Sequence, residues 1–160
     1  MKKVLLILAC GIATQLSYAQ ATPKWADKAK KAVFSIVTYD KDNKIKNTGN
    51  GFYINENGTA LSDYTLFEGA ERAVIINADS KELPVLRILG ANSMYDIVKF
   101  NTEADKKTIA LKSASQPASV GETVYLLPYS TQKAATCQTG TVTKVDTIGD
   151  KAYYYTCLLY

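Results

Sequence analysis

From residue 33 onward the chain alternates short apolar runs with polar turns, at a spacing that helices do not produce. The run "AVFSIVTY" at 32–39 is rich in β-branched and aromatic residues, "DKDNK" at 40–44 is a turn, and "GNGFYI" at 49–54 is a second strand closed by the turn "NENG". Further strands are predicted at 59–62, at "AVIIN" from Ala73, "PVLRIL" from Pro84, "DIVKF" from Asp96, "ETVYLLPY" from Glu122, "TGTVTKV" from Thr139 and "AYYYTCLLY" from Ala152. No segment after Ala32 carries a 3.6-residue apolar stripe of helix length. Many short strands separated by turn residues specify an all-β barrel or sandwich.

Helical patterning occurs only before these strands. In "ATPKWADKAKK" Thr22 is placed to cap, Pro23 to occupy the first helical position, and Trp25, Ala29 and Ala32 or Val33 to share a face, so a short helix is predicted within 20–32. The stretch "LKSASQPASVG" at 111–121 is rich in Ser, Ala and Pro and reads as a linker. It separates a strand-rich unit at 33–110 from a remainder at 122–160 that holds about three strands, too few to close a barrel.

The first residues change the compartment. Lys2 and Lys3, an apolar stretch at 4–13, and small residues at Ser17 and Ala19 make a signal peptide cut after Ala19, too short to span a bilayer. A competing reading takes "ILAC" as a lipobox with Cys10 lipidated on an outer surface. Removing 19 residues takes two of the 19 basic side chains and none of the 15 acidic ones, which leaves 141 residues at net charge +2. That small, scattered charge argues against nucleic acid or an anionic membrane as partner. Nothing after residue 19 is apolar for long enough to cross a membrane. In an oxidising compartment Cys137 and Cys157 could close a disulfide worth roughly 3 kcal/mol, or remain two small side chains that never meet.

Candidate chemistry is mostly removed by inspection. "GNGFYI" has Ile54 where a dinucleotide fingerprint needs its third glycine, so Gly49 and Gly51 read as glycines that permit close approach in a strand. "DKDNKI" begins like a calcium loop but has Ile45 at the glycine position and Gly51 at the bidentate glutamate position. "NGT" at Asn57 reads as a turn, and "DTI" at 146–148 as a short O-glycosylation pattern of low specificity. The eleven tyrosines suit half-wet strands. No cofactor or metal is expected. The 160 residues contain no histidine, so no Ser-His-Asp triad, Cys-His dyad or histidine-ligated zinc can be built from them.

With those motifs set aside, a family pattern stands out. "GNGFYINENGTALSDYTLFEGA" followed by "MYDIVKF" and "VGETVYLLPY" resembles trypsin-like serine peptidases of the Deg/HtrA type, in which a Gly-(Ser/Thr)-Gly-Phe-x-Ile strand, a Leu-Thr-Asn-x-His-Val-Val-x-Gly-Ala segment and an Asp-Leu-Ala-x-Leu strand follow in that order. The resemblance covers roughly 32–160 and implies a chymotrypsin-like β-barrel, complete in its first barrel and partial in its second, with a short N-terminal helix. It places Thr65 where the family has its general-base histidine, with Tyr64 there if the alignment slips by one. It places Asp96 where the family has the acid that orients the imidazole. Neither a threonine hydroxyl nor a phenol of reference pKa about 10 can take a proton at neutral pH. Read without the resemblance, Asp96 at a strand start caps a turn or pairs with a lysine.

The family's Gly-Asn-Ser-Gly-Gly nucleophile segment has no counterpart in these residues, and ending on the apolar "CLLY" implies a truncated product or a fragment. As it stands the chain is not expected to be an enzyme. Three readings follow. The first is a secreted or periplasmic bacterial pseudoenzyme that serves as a scaffold or binds a peptide or protein, by strand addition, with room for a further domain. The second is a piece of an active serine endopeptidase whose nucleophile lies downstream. The third is an unrelated small β-barrel binding protein, which would leave Thr65 and Asp96 far apart where the other two bring them together.

Overall fold

A computed structural model describes residues 23–103, 108–127, 137–148 and 152–159; the predicted signal peptide, Cys10 and Thr22 lie outside them. Helix α1 (Ala26–Lys30) is followed by β1 (Val33–Tyr39), β2 (Ile45–Tyr53), β3 (Thr59–Ser62), the single turn α2 (Tyr64–Phe67), β4 (Arg72–Ile76), β5 (Glu82–Asn92) and β6 (Ile97–Thr102). The six strands form a closed antiparallel barrel in the order β1-β2-β3-β6-β5-β4. Strands β7 (Thr123–Leu126), β8 (Gln138–Ile148) and β9 (Ala152–Leu159) form a separate three-stranded antiparallel sheet.

Each predicted strand is present. The β1–β2 turn is held by Asp40, whose Oδ1 accepts from the backbone of Asp42 and Lys44 at 2.8 and 2.9 Å. Asn55 organises the "NENG" turn, with Oδ1 accepting from the amides of Asn57 and Thr59 at 3.0 Å each. Two strands are longer than expected. β2 begins at Ile45 because its first residues pair with the end of β1, and β5 runs on to Asn92 because β6 continues to pair with it past two register shifts.

The N-terminal helix is shorter than its pattern. Pro23 lies before it, its carbonyl accepting the Ala26 amide at 2.8 Å in a tight turn, and Trp25 caps without a side-chain hydrogen bond. Trp25 is 49% exposed and meets Tyr125 of β7 edge-on, centroids 5.1 Å apart.

Alternation along the strands sends Phe34, Ile36, Tyr53, Ala60, Ile75, Leu83, Val98 and Phe100 into the barrel. Phe34 meets Tyr53 and Phe100 at 4.8 and 6.2 Å in edge-on geometry, the arrangement that aromatic quadrupoles favour. Truncating Phe100 to alanine would cost about 3–5 kcal/mol on the scale of large-to-small core changes. Most buried hydroxyls are satisfied by strand carbonyls, with Ser35 donating to Gly49, Thr38 to Asn47, Ser62 to Asn50 and Thr102 to Pro84, while Thr59 donates to the Asn101 side-chain oxygen.

Close approach explains the glycines of "GNG". A β-carbon on Gly51 would sit 2.5 Å from the Phe34 ring and 2.9 Å from the Leu61 carbonyl oxygen, and one on Gly49 would strike Leu66. A β-carbon on Gly90 would meet nothing within 4 Å. Gly51→Ala is expected to lower stability by about 1–3 kcal/mol through overpacking, and Gly90→Ala to leave it within about 0.5 kcal/mol. Chemical denaturation of the two variants checks both.

Candidate functional site

The segment "LSDYTLFEGA" closes one mouth of the barrel. β3 ends at Ser62, and Asp63, in extended conformation, turns the chain into α2. Leu66 packs over Gly49, and the ring of Phe67 tilts onto Phe100 with centroids 5.2 Å apart. Asn47 of β2 reaches across, its Nδ2 donating to the carbonyls of Thr65 and Leu66 at 3.3 and 3.2 Å. The turn is left through Gly69 in the left-handed region at φ +64°, where an L side chain would be strained.

Asp96 holds the start of α2 from the other side. Its Oδ1 accepts the backbone N–H of Thr65 at 2.8 Å, its Oδ2 accepts the Thr65 hydroxyl at 3.2 Å, and its carbonyl accepts the Tyr64 N–H at 3.2 Å. Asp96 adopts φ +51°, uncommon for a residue with a β-carbon. The preceding tight turn makes this possible, with Asn92 Oδ1 accepting the amides of Met94 and Tyr95 at 3.0 and 3.1 Å. A helix of four residues has no strength of its own, so its free N–H groups require an acceptor from elsewhere. Asp96 supplies it, and thus caps a turn as its reading without the resemblance expected.

The structure therefore brings Thr65 and Asp96 together, as either peptidase-related reading requires. Tyr64 offers Asp96 only its backbone. Every donor that reaches the carboxylate is neutral, and none of the described lysines or arginines pairs with it. Asp63 stands close enough that Asp96 affects it: partial burial first, and the Asp96 charge second, hold its carboxyl above the usual aspartate range. Among the described residues no group of three or more His, Cys, Asp or Glu side chains is placed to hold a metal ion.

Beside this site an apolar cleft of about 650 Å³ runs between the barrel and β7, lined by Phe52, Leu61, Ile97, Leu111, Tyr125 and Leu126, with Asp63 at its polar side. β7 has β8 on one flank and no strand among the described residues on the other.

Solved structures identify the architecture. The chain is similar to the crystal structure of the serine endoprotease from Yersinia pestis, with a TM-score of 0.64 and 16% identity, over 74% of this chain and 43% of that one. The fold is chymotrypsin-like. No protein-family model matches the chain, and no curated protein matches it. The chain spans less than half the length of the endoprotease it resembles, with a complete first barrel and part of a second sheet.

The two cysteines take one of the two alternatives that the sequence left open. Cys137 and Cys157 are free thiols, not a disulfide. In the β8–β9 ladder Cys157 faces Val142, and Cys137 lies five positions before Val142, immediately ahead of β8. At about 3.3 Å per residue that separation is roughly 16 Å, far beyond the ~7 Å limit between bridged α-carbons. Asn47, Leu66 and Phe67, which fasten α2, escaped sequence reading. Only the paired glycines signalled that something packs closely over β2.

Asp96→Ala should destabilise the protein by about 1–2 kcal/mol, as loss of a helix cap does, while Thr65→Val, which keeps the backbone donor, should lose under about 1 kcal/mol. Thermal unfolding distinguishes them. For Asp63, a folded-state pKa raised above the unfolded value means that the native state binds its proton more tightly. Its contribution to stability is therefore greatest at low pH and falls as pH rises from the ordinary aspartate value through the raised one. Asp63→Asn should remove that fall, a gain above the window of a few tenths of a kcal/mol once solvent screening is allowed for, and no gain below it. Unfolding free energy measured against pH checks the sign.

Proposed function

We propose that this chain is a secreted, non-catalytic domain of peptidase fold that binds an extended peptide or protein segment. The observation that carries the reading is the contact between Thr65 and Asp96. In a working triad the acid orients an imidazole, which takes the nucleophile's proton and returns it to the leaving group. Here the matching carboxylate is engaged by an amide and a hydroxyl, neither of which can carry that proton at neutral pH. Loss of the base costs on the order of 10⁶ in turnover in the subtilisin case. The 160 residues contain no histidine that could substitute from another position.

The cleft supports a binding role. Its walls are largely apolar, with the Asp63 carboxylate at one side, and they include Tyr125 and Leu126 of β7, which has a strand neighbour on one flank alone among the described residues. A segment added to that flank would find backbone groups that no described strand pairs with, and apolar pockets for alternate side chains. Lys2, Lys3, the apolar stretch at 4–13 and the small residues before position 20 support export.

A fluorophosphonate probe applied to the secreted gene product tests this. No labelling is expected for the native protein. Labelling of the native form would mean a functioning nucleophile served by some other base, and would overturn the non-catalytic reading. Labelling that appears only with Thr65→His would identify Thr65 as the point at which catalysis was lost.

A further inference from the structure

The opposite mouth of the barrel holds a second cavity, of about 520 Å³. It opens between Lys31, which follows α1, the end of β2 at Tyr53, the turn between β4 and β5, and Thr108. Tyr53 is 4% exposed, with its ring in the core against Phe34. Its hydroxyl makes no hydrogen bond with any described residue, yet no fully buried side-chain oxygen or nitrogen among those residues lacks a partner. The hydroxyl is therefore not sealed from solvent, and the cavity is an opening that Tyr53 lines. Burial pushes its pKa up to about 12, so at neutral pH it is a proton donor facing open space.

Two opposite charges line the same space. The Lys31 ammonium and the Asp79 carboxylate form no ion pair with each other or with another described residue. Asp79 is held in place by its turn: Asn77 Oδ1 accepts the amides of Asp79 and Lys81 at 3.0 and 2.9 Å, and the Ser80 amide donates to the Asn77 carbonyl at 2.9 Å. Leu83, 3% exposed, provides an apolar floor. A simple anion in this cavity would meet the Asp79 charge and a simple cation the Lys31 charge. A molecule carrying both charges on a short apolar body would be matched by each.

We propose that this cavity binds a small zwitterion of the amino-acid or short-peptide class, its carboxylate taken by Tyr53 Oη and Lys31 Nζ, its ammonium by Asp79, and its apolar body resting on Leu83. The site lies at the other end of the barrel from Thr65 and Asp96 and does not depend on the reading given to that end. Because Lys31 and Asp79 are exposed, their ion pairs to a ligand are screened, and affinity falls in the weak range, on the order of 0.1–1 mM.

Amide chemical-shift titration of the isotopically labelled protein with L-leucine, L-leucyl-L-leucine, N-acetyl-L-leucine and L-leucinamide tests it. Saturable shifts at residues 53, 79, 83 and 108 are expected with leucine or leucyl-leucine. The tighter of the two reports whether a free amino acid or a dipeptide is the better fit. N-acetyl-leucine, without its ammonium, and leucinamide, without its carboxylate, should each bind at least about tenfold more weakly than leucine. Tyr53→Phe keeps the ring in the core and removes a hydroxyl that has no partner among the described residues, so it should unfold at the native temperature and bind about tenfold more weakly. Lys31→Met should weaken leucine and leave leucinamide unchanged. Absence of shifts up to the solubility limit, equal binding of the blocked compounds, or unaltered binding by a natively folded Tyr53→Phe would each overturn the proposal.

Discussion

Closure of the barrel through the β1–β4 ladder is the constraint on which both sites depend. Ser35 to Tyr39 pair with Ile76 back to Arg72, which joins the first strand to the fourth and leaves six strands without a free edge. A closed barrel of this size is filled by its own side chains, here around Phe34 and Phe100, so it has no through channel and its chemistry is confined to the two mouths. The mouths are treated differently. One is plugged by Phe67 on a single helical turn, and the other leaves the hydroxyl of Tyr53 facing a cavity.

At the plugged mouth the carboxylate of Asp96 has a structural role that does not require catalysis. The four residues of α2 cannot form a stable helix alone, and they are fixed by three contacts to Asp96, two from Asn47 and the packing of Leu66 and Phe67. An acid in this place therefore contributes to stability whether or not a base stands opposite it. The contact has a peptidase-like geometry and fills the carboxylate with donors that cannot carry a proton at neutral pH, and a fold hosts function only through such a site. The cost of the arrangement falls on Asp63, whose carboxyl is held up by partial burial first and by the like charge of Asp96 second.

Most of the fold was legible because period-two alternation and turn chemistry agree along the chain. Asp40, Asn55 and Asn77 each close their turns through an Asx side chain, the signal that punctuated the strands in the sequence. The order of the short motifs around Thr65 and Asp96 was enough to expect their meeting across 31 residues. What could not be read was contact between elements. Nothing local marks Asn47 as the residue that fastens α2. The helical spacing around Trp25 overstated α1, because Pro23 closes a turn ahead of it. Cys137 and Cys157 invited pairing by their number and compartment, and only the strand register keeps them apart.

Tyr53 shows why the open mouth was also invisible in sequence. At the end of "GNGFY" a tyrosine reads as one more aromatic filling a barrel, and its ring does fill it. A phenylalanine would serve that packing equally, and would avoid bringing close to the core a hydroxyl that no described residue partners. The hydroxyl is tolerated because the cavity gives it access to solvent or to a ligand, and the two unpaired charges at the rim define the same space from outside. Lys31 and Asp79 are exposed and hydrated, so the buried Tyr53 is the group whose polarity packing does not explain, and a zwitterion bound in the cavity would engage its hydroxyl and both charges at once.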